Sequence, residues 1–286
     1  MDYSKYNFDK LVEKFISTQD KPQYIGQGNP NSSILILGKE SAIDKNKNEN
    51  QYRTEIENNY NDWKNIICNR LSLSDVPLQV RDNTVIGYNP LYPYKGQYCK
   101  TRGEGSTSST WYWYQRLVDE IIRKPQKNKN EYIDFFNNSF ITEVSTATAP
   151  MSCEVDKDIR EQSVNERTKN LLSDNFFKHF QIIIAACSSY VGSKNGVDLV
   201  RLFGAPYKGV YKFKDDKWTL FKYPDKGIGK YWIHVHESTE GKPRLVLHTY
   251  QLSQPSKEYI KGIVEICKDF ISRNKVIIRN DENGNI

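Results

Sequence analysis

The chain has 286 residues, 37% hydrophobic and 13% aromatic, with 19 Tyr, a composition that sets aside intrinsic disorder. Its net charge of +6 is compatible with a polyanionic partner without requiring one. The five cysteines are scattered with no CxxC pair, so zinc ribbons and iron–sulfur clusters find no support, and no apolar run reaches the roughly 18 residues of a membrane span.

Phe8, Leu11, Phe15 and Ile16 recur at helical spacing, so an amphipathic helix is expected first. The opening "MDYSKYNFDKLVEKF" has no apolar core of the kind a secretory leader carries, and a reducing cytoplasm is the expected setting. "GQGNPNSS" then turns into "ILILG", whose unbroken apolar run ending at Gly38 predicts a strand buried on both faces. A polar linker follows, then a helix marked by the stripe Ile56, Tyr60, Trp63, Ile66 and Ile67.

From Arg81 to Ser109 the chain is rich in Tyr, Gly, Pro and Ser, without periodicity and longer than an ordinary connection. Tyr88, Tyr92, Tyr94 and Tyr98 are candidates there for stacking on bases; a loop packed on its own side chains is the structural alternative. Ser109 or Thr110 is expected to cap the helix of "STSSTWYWYQRLVDEII", with Trp111 and Tyr114 on its buried face. The further strand candidates are "SFITEV", "QIIIAACSS", "YKGVYKFKDDKWTLFKY" as a hairpin, and "KYWIHVHES" with "RLVLH", which can pair around "TEGKP". "KNLLSDNFFKHF" and "SKEYIKGIVEICKDFISRN" read as helices, and residues 280–286 as a frayed tail. Strands alternating with helices predict an α/β protein, its sheet parallel or mixed and covered on both faces. One domain is expected over residues 1–286, with an insertion around 43–109.

In open α/β sheets ligands bind beyond the carboxyl ends of the strands. The residues at those ends are Lys39-Glu40-Ser41, Glu143-Val144-Ser145, Cys187-Ser188-Ser189 and His248-Thr249-Tyr250. Two carboxylates, a histidine and several hydroxyls on one rim can perform acid/base or electrostatic catalysis without a cofactor. Each also has an ordinary role: a Glu complementing a helix N-terminus, a His hydrogen-bonded for structure. His234 and His236 share a strand face beside Glu237; a metal pair is one reading, a solvent-facing edge the other, and no metal is expected.

"ILILGKESA", followed much later by "LHTYQLS", resembles the two signature segments of the uracil-DNA glycosylase superfamily. In that family an apolar strand ends in a pattern such as GQDPY, and the last strand ends in HPSPLS. Gly38, Lys39, Glu40, Ser41 and Ala42 fall on the first pattern; His248, Leu252 and Ser253 fall on the second. "SFITEV" is similar to the family's middle strand, whose end supplies an Asn that reads the flipped base; Glu143 stands there. The resemblance implies a three-layer α/β/α fold around a central, mostly parallel four-stranded sheet. It also implies a hydrolase that flips a base from DNA and cleaves its N-glycosidic bond, as in DNA repair. Under it, Glu40 faces the sugar and His248 the departing base, while Leu252, exposed in a polar loop, fills the vacated stack. Lys39, Ser41, Ser188 and Ser253 join the rim that binds substrate and its phosphates.

The departures from the pattern bear on the substrate. Glu40 is one methylene longer than the family's Asp, and Ala42 replaces a Tyr that shields the pocket against 5-substituted pyrimidines. An ionised Glu143 accepts hydrogen bonds only, so it suits a base bearing an exocyclic amine unless it is protonated. A modified or deaminated base is therefore expected rather than plain uracil, in duplex or single-stranded DNA, with no cofactor, no membrane and a monomeric protein. Two rivals remain: a nucleic-acid-binding module of the same fold without chemistry, and hydrolysis of a free nucleoside or nucleotide.

Overall fold

The computed structural model describes residues 8–69, 89–93, 96–192, 197–222 and 231–279. Its helices are α1 (Lys10–Ser17), α2 (Glu49–Tyr52), α3 (Asn59–Asn69), α4 (Ser109–Ile121), α5 (Lys157–Arg167), α6 (Leu199–Phe203) and α7 (Lys257–Asn274). Its strands are β1 (Gln27–Gly28), β2 (Ile34–Gly38), β3 (Phe140–Glu143), β4 (Ile182–Ala185), β5 (Tyr207–Lys214), β6 (Lys217–Phe221), β7 (Trp232–Ser238) and β8 (Arg244–His248).

All eight strands join one mixed sheet in the order β1-β3-β2-β4-β8-β7-β5-β6. Neighbours β3, β2, β4 and β8 run parallel, and the flanking ladders are antiparallel. The expected sheet of four mostly parallel strands is thus corrected: among the described residues the four parallel strands are the middle of a sheet of eight, in which antiparallel ladders outnumber parallel ones. Short connections account for two of the antiparallel ladders, β5–β6 and β7–β8, because a link of a few residues can only return a strand antiparallel. Asp215 and Asp216, at φ 51° and 58°, make such a link between β5 and β6, with the left-handed geometry that matches the strand twist.

Successive side chains of a strand point to opposite faces, so a strand covered on both sides needs an apolar residue at every position. β2 meets that condition: Leu35 and Leu37 pack in a core with α1 and α3, and Ile34 and Ile36 in a second core with α4 and α7. β4 repeats the division, Ile183 and Ala185 against Ile182 and Ile184. Phe140 of β3 anchors an aromatic cluster on the first face, with Phe176 at 5.5 Å and Phe180 at 5.9 Å.

The helix stripe expected near residues 56–67 is split. A π-helical stretch, Arg53–Glu57, lies between α2 and α3. It turns Ile56 away from the sheet toward Tyr24 and Ile43, while Tyr60, Trp63 and Ile66 enter the main core. The region expected as an insertion therefore supplies part of that core. Asn59 ties it down, its carboxamide oxygen accepting from Ile25 N at 2.8 Å and its amide donating to the Gly26 carbonyl. The cap of α4 is Ser108, one residue before the expected position, with Oγ accepting from Trp111 N at 3.1 Å. Tyr114 is buried on that helix, and Tyr98 stacks on Tyr132 at 4.7 Å. Residues 81–88, including Tyr88, Tyr94 and the tail 280–286 lie outside the described residues. Among the described residues no helix is long and apolar enough to cross a membrane.

Gly262 lies in α7 where Trp218 of β6 crosses it; a Cβ there would stand 2.3 Å from the indole Nε1. Alanine normally stabilises a helix interior by about 1 kcal/mol over glycine. Here Gly262→Ala is expected to destabilise instead, by about 1–3 kcal/mol, because the rigid indole must move. Urea denaturation measures this; a stabilised variant would show that Trp218 does not pack on the helix.

Candidate functional site

Gly38 and Glu143 end two parallel strands in register with each other. The pairing continues past the strand ends, with Val144 N donating to Gly38 O at 3.0 Å and Ser145 N to Lys39 O at 2.8 Å. The Glu143 side chain crosses the face of Gly38, where a Cβ would meet its Oε2 at 2.0 Å. Only glycine leaves this path open. Glu40, buried just beyond Gly38, lies close enough for its negative charge to act on the Glu143 carboxyl.

β4 brings the third side of the site. Beyond it Cys187 is buried, its Sγ donating to Leu37 O at 3.4 Å, and burial pushes its thiol up, away from nucleophilic use. A 3-10 turn, Ser188–Tyr190, follows and sets the buried Tyr190 ring beside Glu40. Lys39 Nζ lies 5.3 Å from the centroid of that ring, and so does Arg160 Cζ.

Arg160 comes from the first turn of α5, a helix capped by Asp156, whose carboxylate accepts from Asp158 N and Ile159 N. Arg167, in the last turn of the same helix, is buried. Its Nε donates to Glu143 O at 2.8 Å, its Nη2 to Thr142 Oγ1 at 2.8 Å, and its Nη1 to Tyr24 O. Ser163 of α5 bonds the Ser145 hydroxyl at 3.1 Å and accepts from Thr146 N at 2.8 Å. Arg160, Ser163, Val164 and Arg167 thus form the inward face of α5 at i, i+3, i+4 and i+7 spacing.

Four buried polar atoms meet here without a hydrogen bond of ordinary geometry: Glu40 Oε2, Glu143 Oε2, Arg160 Nε and Tyr190 Oη. Buried polar groups are nearly always paired, so such a concentration marks a place shaped for something else to bind. Glu143 keeps part of its surface exposed, but its Oε2 is closed off. Burial raises its pKa to about 8, the charge of Glu40 adds to the rise, and Arg167 opposes it. At neutral pH Glu143 is accordingly a carboxylic acid, able to donate one hydrogen bond and accept another.

The β8 side differs from expectation. His248 stands in register with Ala185 of β4, and its Nε2 is 2.7 Å from Ser188 O. The ring stacks on His234 at 5.5 Å, and burial lowers its pKa to about 4. A neutral His248 with its Nε2–H donated to Ser188 braces the turn that carries Tyr190. Ser188 itself, at φ 49°, donates its N–H to Thr249 O.

Leu252 corrects the sequence expectation outright. Its side chain is fully buried, in the core formed with α4 and α7, and does not project as a wedge. The loop is drawn inward by Ser109 Oγ, which donates to Ser253 O at 2.6 Å, and burying a leucine contributes about 1.5–3 kcal/mol. Ser41 and Ser253 are half-buried and Ala42 is exposed.

The fold therefore gathers Gly38, Lys39, Glu40 and Glu143, and it sets His248, Leu252 and Ser253 on the far side of β4. Arg160, Arg167 and Tyr190 belong to the site and were missed from sequence. The one available signal was polar residues at helical spacing where α5 should show an apolar stripe. His234 accepts or donates at Nδ1 with the Tyr207 hydroxyl at 3.1 Å, and no cluster of three or more metal-ligating side chains occurs among the described residues. Comparison of the sequence with protein-family models and with curated proteins returns no match.

Folded Glu143 holds its proton to about pH 8, against an ordinary value of 4.5. The folded state thus binds more protons than the unfolded one between those values, and stability falls as pH rises through them. Glu143→Gln keeps a neutral side chain throughout and is expected to flatten that fall. At pH 9 it should exceed the parent by on the order of 2 kcal/mol, read from urea denaturation at pH 6 and 9. Parallel profiles for the two proteins would contradict a proton-holding Glu143.

Proposed function

We propose that this protein hydrolyses the N-glycosidic bond of a nucleotide, with Glu40 and Glu143 at the reacting centre, as the resemblance to uracil-DNA glycosylases implies. The observation that carries the reading is the Glu40–Glu143 pair itself, two carboxyls at the ends of adjacent parallel strands, with Glu143 held neutral by burial. Environments that push two carboxyls apart in pKa divide acid and base work between them. The contiguous parallel block β3-β2-β4-β8, covered by helices on both faces, supports the glycosylase-like reading of the fold.

Cleavage leaves positive charge on the sugar and negative charge on the departing base. The Glu40 carboxylate stabilises the first and orients the attacking water. The neutral Glu143 donates to an acceptor on the base and accepts from a neighbouring N–H, the same pattern as a carboxamide. That pattern suits a deaminated base, whose carbonyl needs a donor, better than one bearing an amine. His248 supports the site through the Ser188 turn rather than by contact with the base.

Two modes of presenting the substrate follow from Leu252. Extruding a base from a duplex is aided by an apolar wedge, and this leucine lies in the core. Single-stranded DNA is therefore favoured over duplex, and the same burial favours a second reading, hydrolysis of free mononucleotides. Purified protein incubated with single-stranded and duplex oligonucleotides carrying uracil, 5-modified pyrimidines or deaminated purines, and with the mononucleotides, tests both. Base release is expected, fastest without a duplex, and Glu40→Gln should slow it by about 100-fold or more. Salt-dependent binding with no release from any substrate would leave a non-catalytic nucleic-acid-binding module instead.

A further inference from the structure

Lys39 and Arg160 are cations from separate elements brought to one ring, and neither forms a salt bridge among the described residues. The Tyr190 ring attracts both by its π-face but neutralises neither. Arg160 Nε is buried and has no hydrogen-bond acceptor of ordinary geometry, and the buried Tyr190 hydroxyl lies between Glu40 and Arg160 without a bond of ordinary geometry to either. Arg167, the third cation, has its donors engaged by Glu143 O, Tyr24 O and Thr142 Oγ1. Lys39, Arg160 and Arg167 outnumber the two carboxyls gathered here, Glu40 and Glu143, so the site carries a positive surplus.

A planar guanidinium, an ammonium and a phenol O–H form a donor set that complements the oxygens of a phosphate. Glu40 lies next to Tyr190, so a sugar held over Glu40 places a phosphate on its own 5′ or 3′ oxygen within reach of that set. We propose that Lys39 and Arg160, gathered around Tyr190, bind a phosphate carried on the substrate's sugar, so that nucleotides are taken and nucleosides are not. The sugar-facing role of Glu40 belongs to the cleavage reading above; the binding of phosphate does not depend on it.

The test uses the full chain and three probes: inorganic phosphate, a nucleoside with its 5′-monophosphate, and a short single-stranded oligonucleotide. Calorimetry and thermal melting are expected to show binding of phosphate, the monophosphate and the oligonucleotide, and none of the nucleoside. Arg160→Gln and Lys39→Gln should each weaken phosphate binding about tenfold, and Arg160→Lys should restore part of it. Lys242→Gln, which removes a cation at the opposite end of the sheet beside His179, is expected to bind as the parent does. Melting without ligand checks the fold of each variant, and half-buried Lys39 provides a second readout should Arg160→Gln not fold. Unchanged phosphate binding in both site variants, or an equal loss in Lys242→Gln, overturns the subsite. Base release that neither site variant alters also removes the subsite and leaves the cleavage reading standing. Phosphate binding lost in both variants, with no base release from any substrate, keeps the subsite and removes the cleavage reading. Tighter binding of the oligonucleotide than of the monophosphate identifies a strand as the source of the phosphate; the reverse identifies a free nucleotide.

Discussion

Arg167 reaches from the last turn of α5 to three acceptors on two other segments, the carbonyls of Tyr24 and Glu143 and the hydroxyl of Thr142. Burial lowers its pKa only to about 10, so it is charged at any ordinary pH. A buried charge is tolerated when its donors are satisfied and is strongly destabilising when they are not. The acceptors of Arg167 are dipoles, so its charge remains available to act on the Glu143 carboxyl. It holds the end of β3, docks α5 against the sheet, and thereby brings Arg160 to Tyr190. Without it the rim would lose both its carboxyl geometry and its second cation.

The rim is built so that two carboxyls share a confined space. Two ionised carboxylates at close range repel, and burial adds to the penalty, so one of them keeps its proton. Gly38 lets the Glu143 side chain lie across the strand end with Oε2 closed off, and burial there holds its proton. On the other side of β4, His248 and Trp232 pack edge to face at 4.9 Å while His248 donates to Ser188. A histidine neutral through burial serves there as a fixed hydrogen-bond donor. The two halves of the rim thus differ in kind, one left with unpaired polar atoms and the other closed by internal bonds.

Several features were legible residue by residue. "ILILG" declared a doubly covered strand because its apolar run is unbroken, "QIIIAACSS" declared a strand, and their ends located Glu40 and Cys187 at the rim. "YKGVYKFKDDKWTLFKY" declared a hairpin. The legible signals end where a residue's role depends on a neighbour distant in the chain. Leu252 looked exposed because the residues around it are polar, yet α4 and α7 converge over it. Trp63 and Tyr60 lie in a segment that read as an insertion, because its link to the core runs through Asn59 and Gly26, more than 30 residues apart in sequence. α5 offered no apolar stripe: Val164 is the one apolar residue on its inward face, beside Arg160, Ser163 and Arg167, and the last two bond strand ends.

By itself the sequence determined the apolar runs, hence the parallel strands, the two faces they cover and the rim on which two glutamates must emerge. Periodicity is a local property, and it specifies which side chains leave water. The tertiary structure alone decided what Glu143 is chemically. Its protonation depends on burial, on the nearness of Glu40 and on an arginine from a separate helix, none of which is encoded in adjacent residues. It likewise decided that Leu252 belongs to the core and that Arg160 and Tyr190 belong to the site. Such assignments are settled only when segments far apart in the chain come to share one desolvated space.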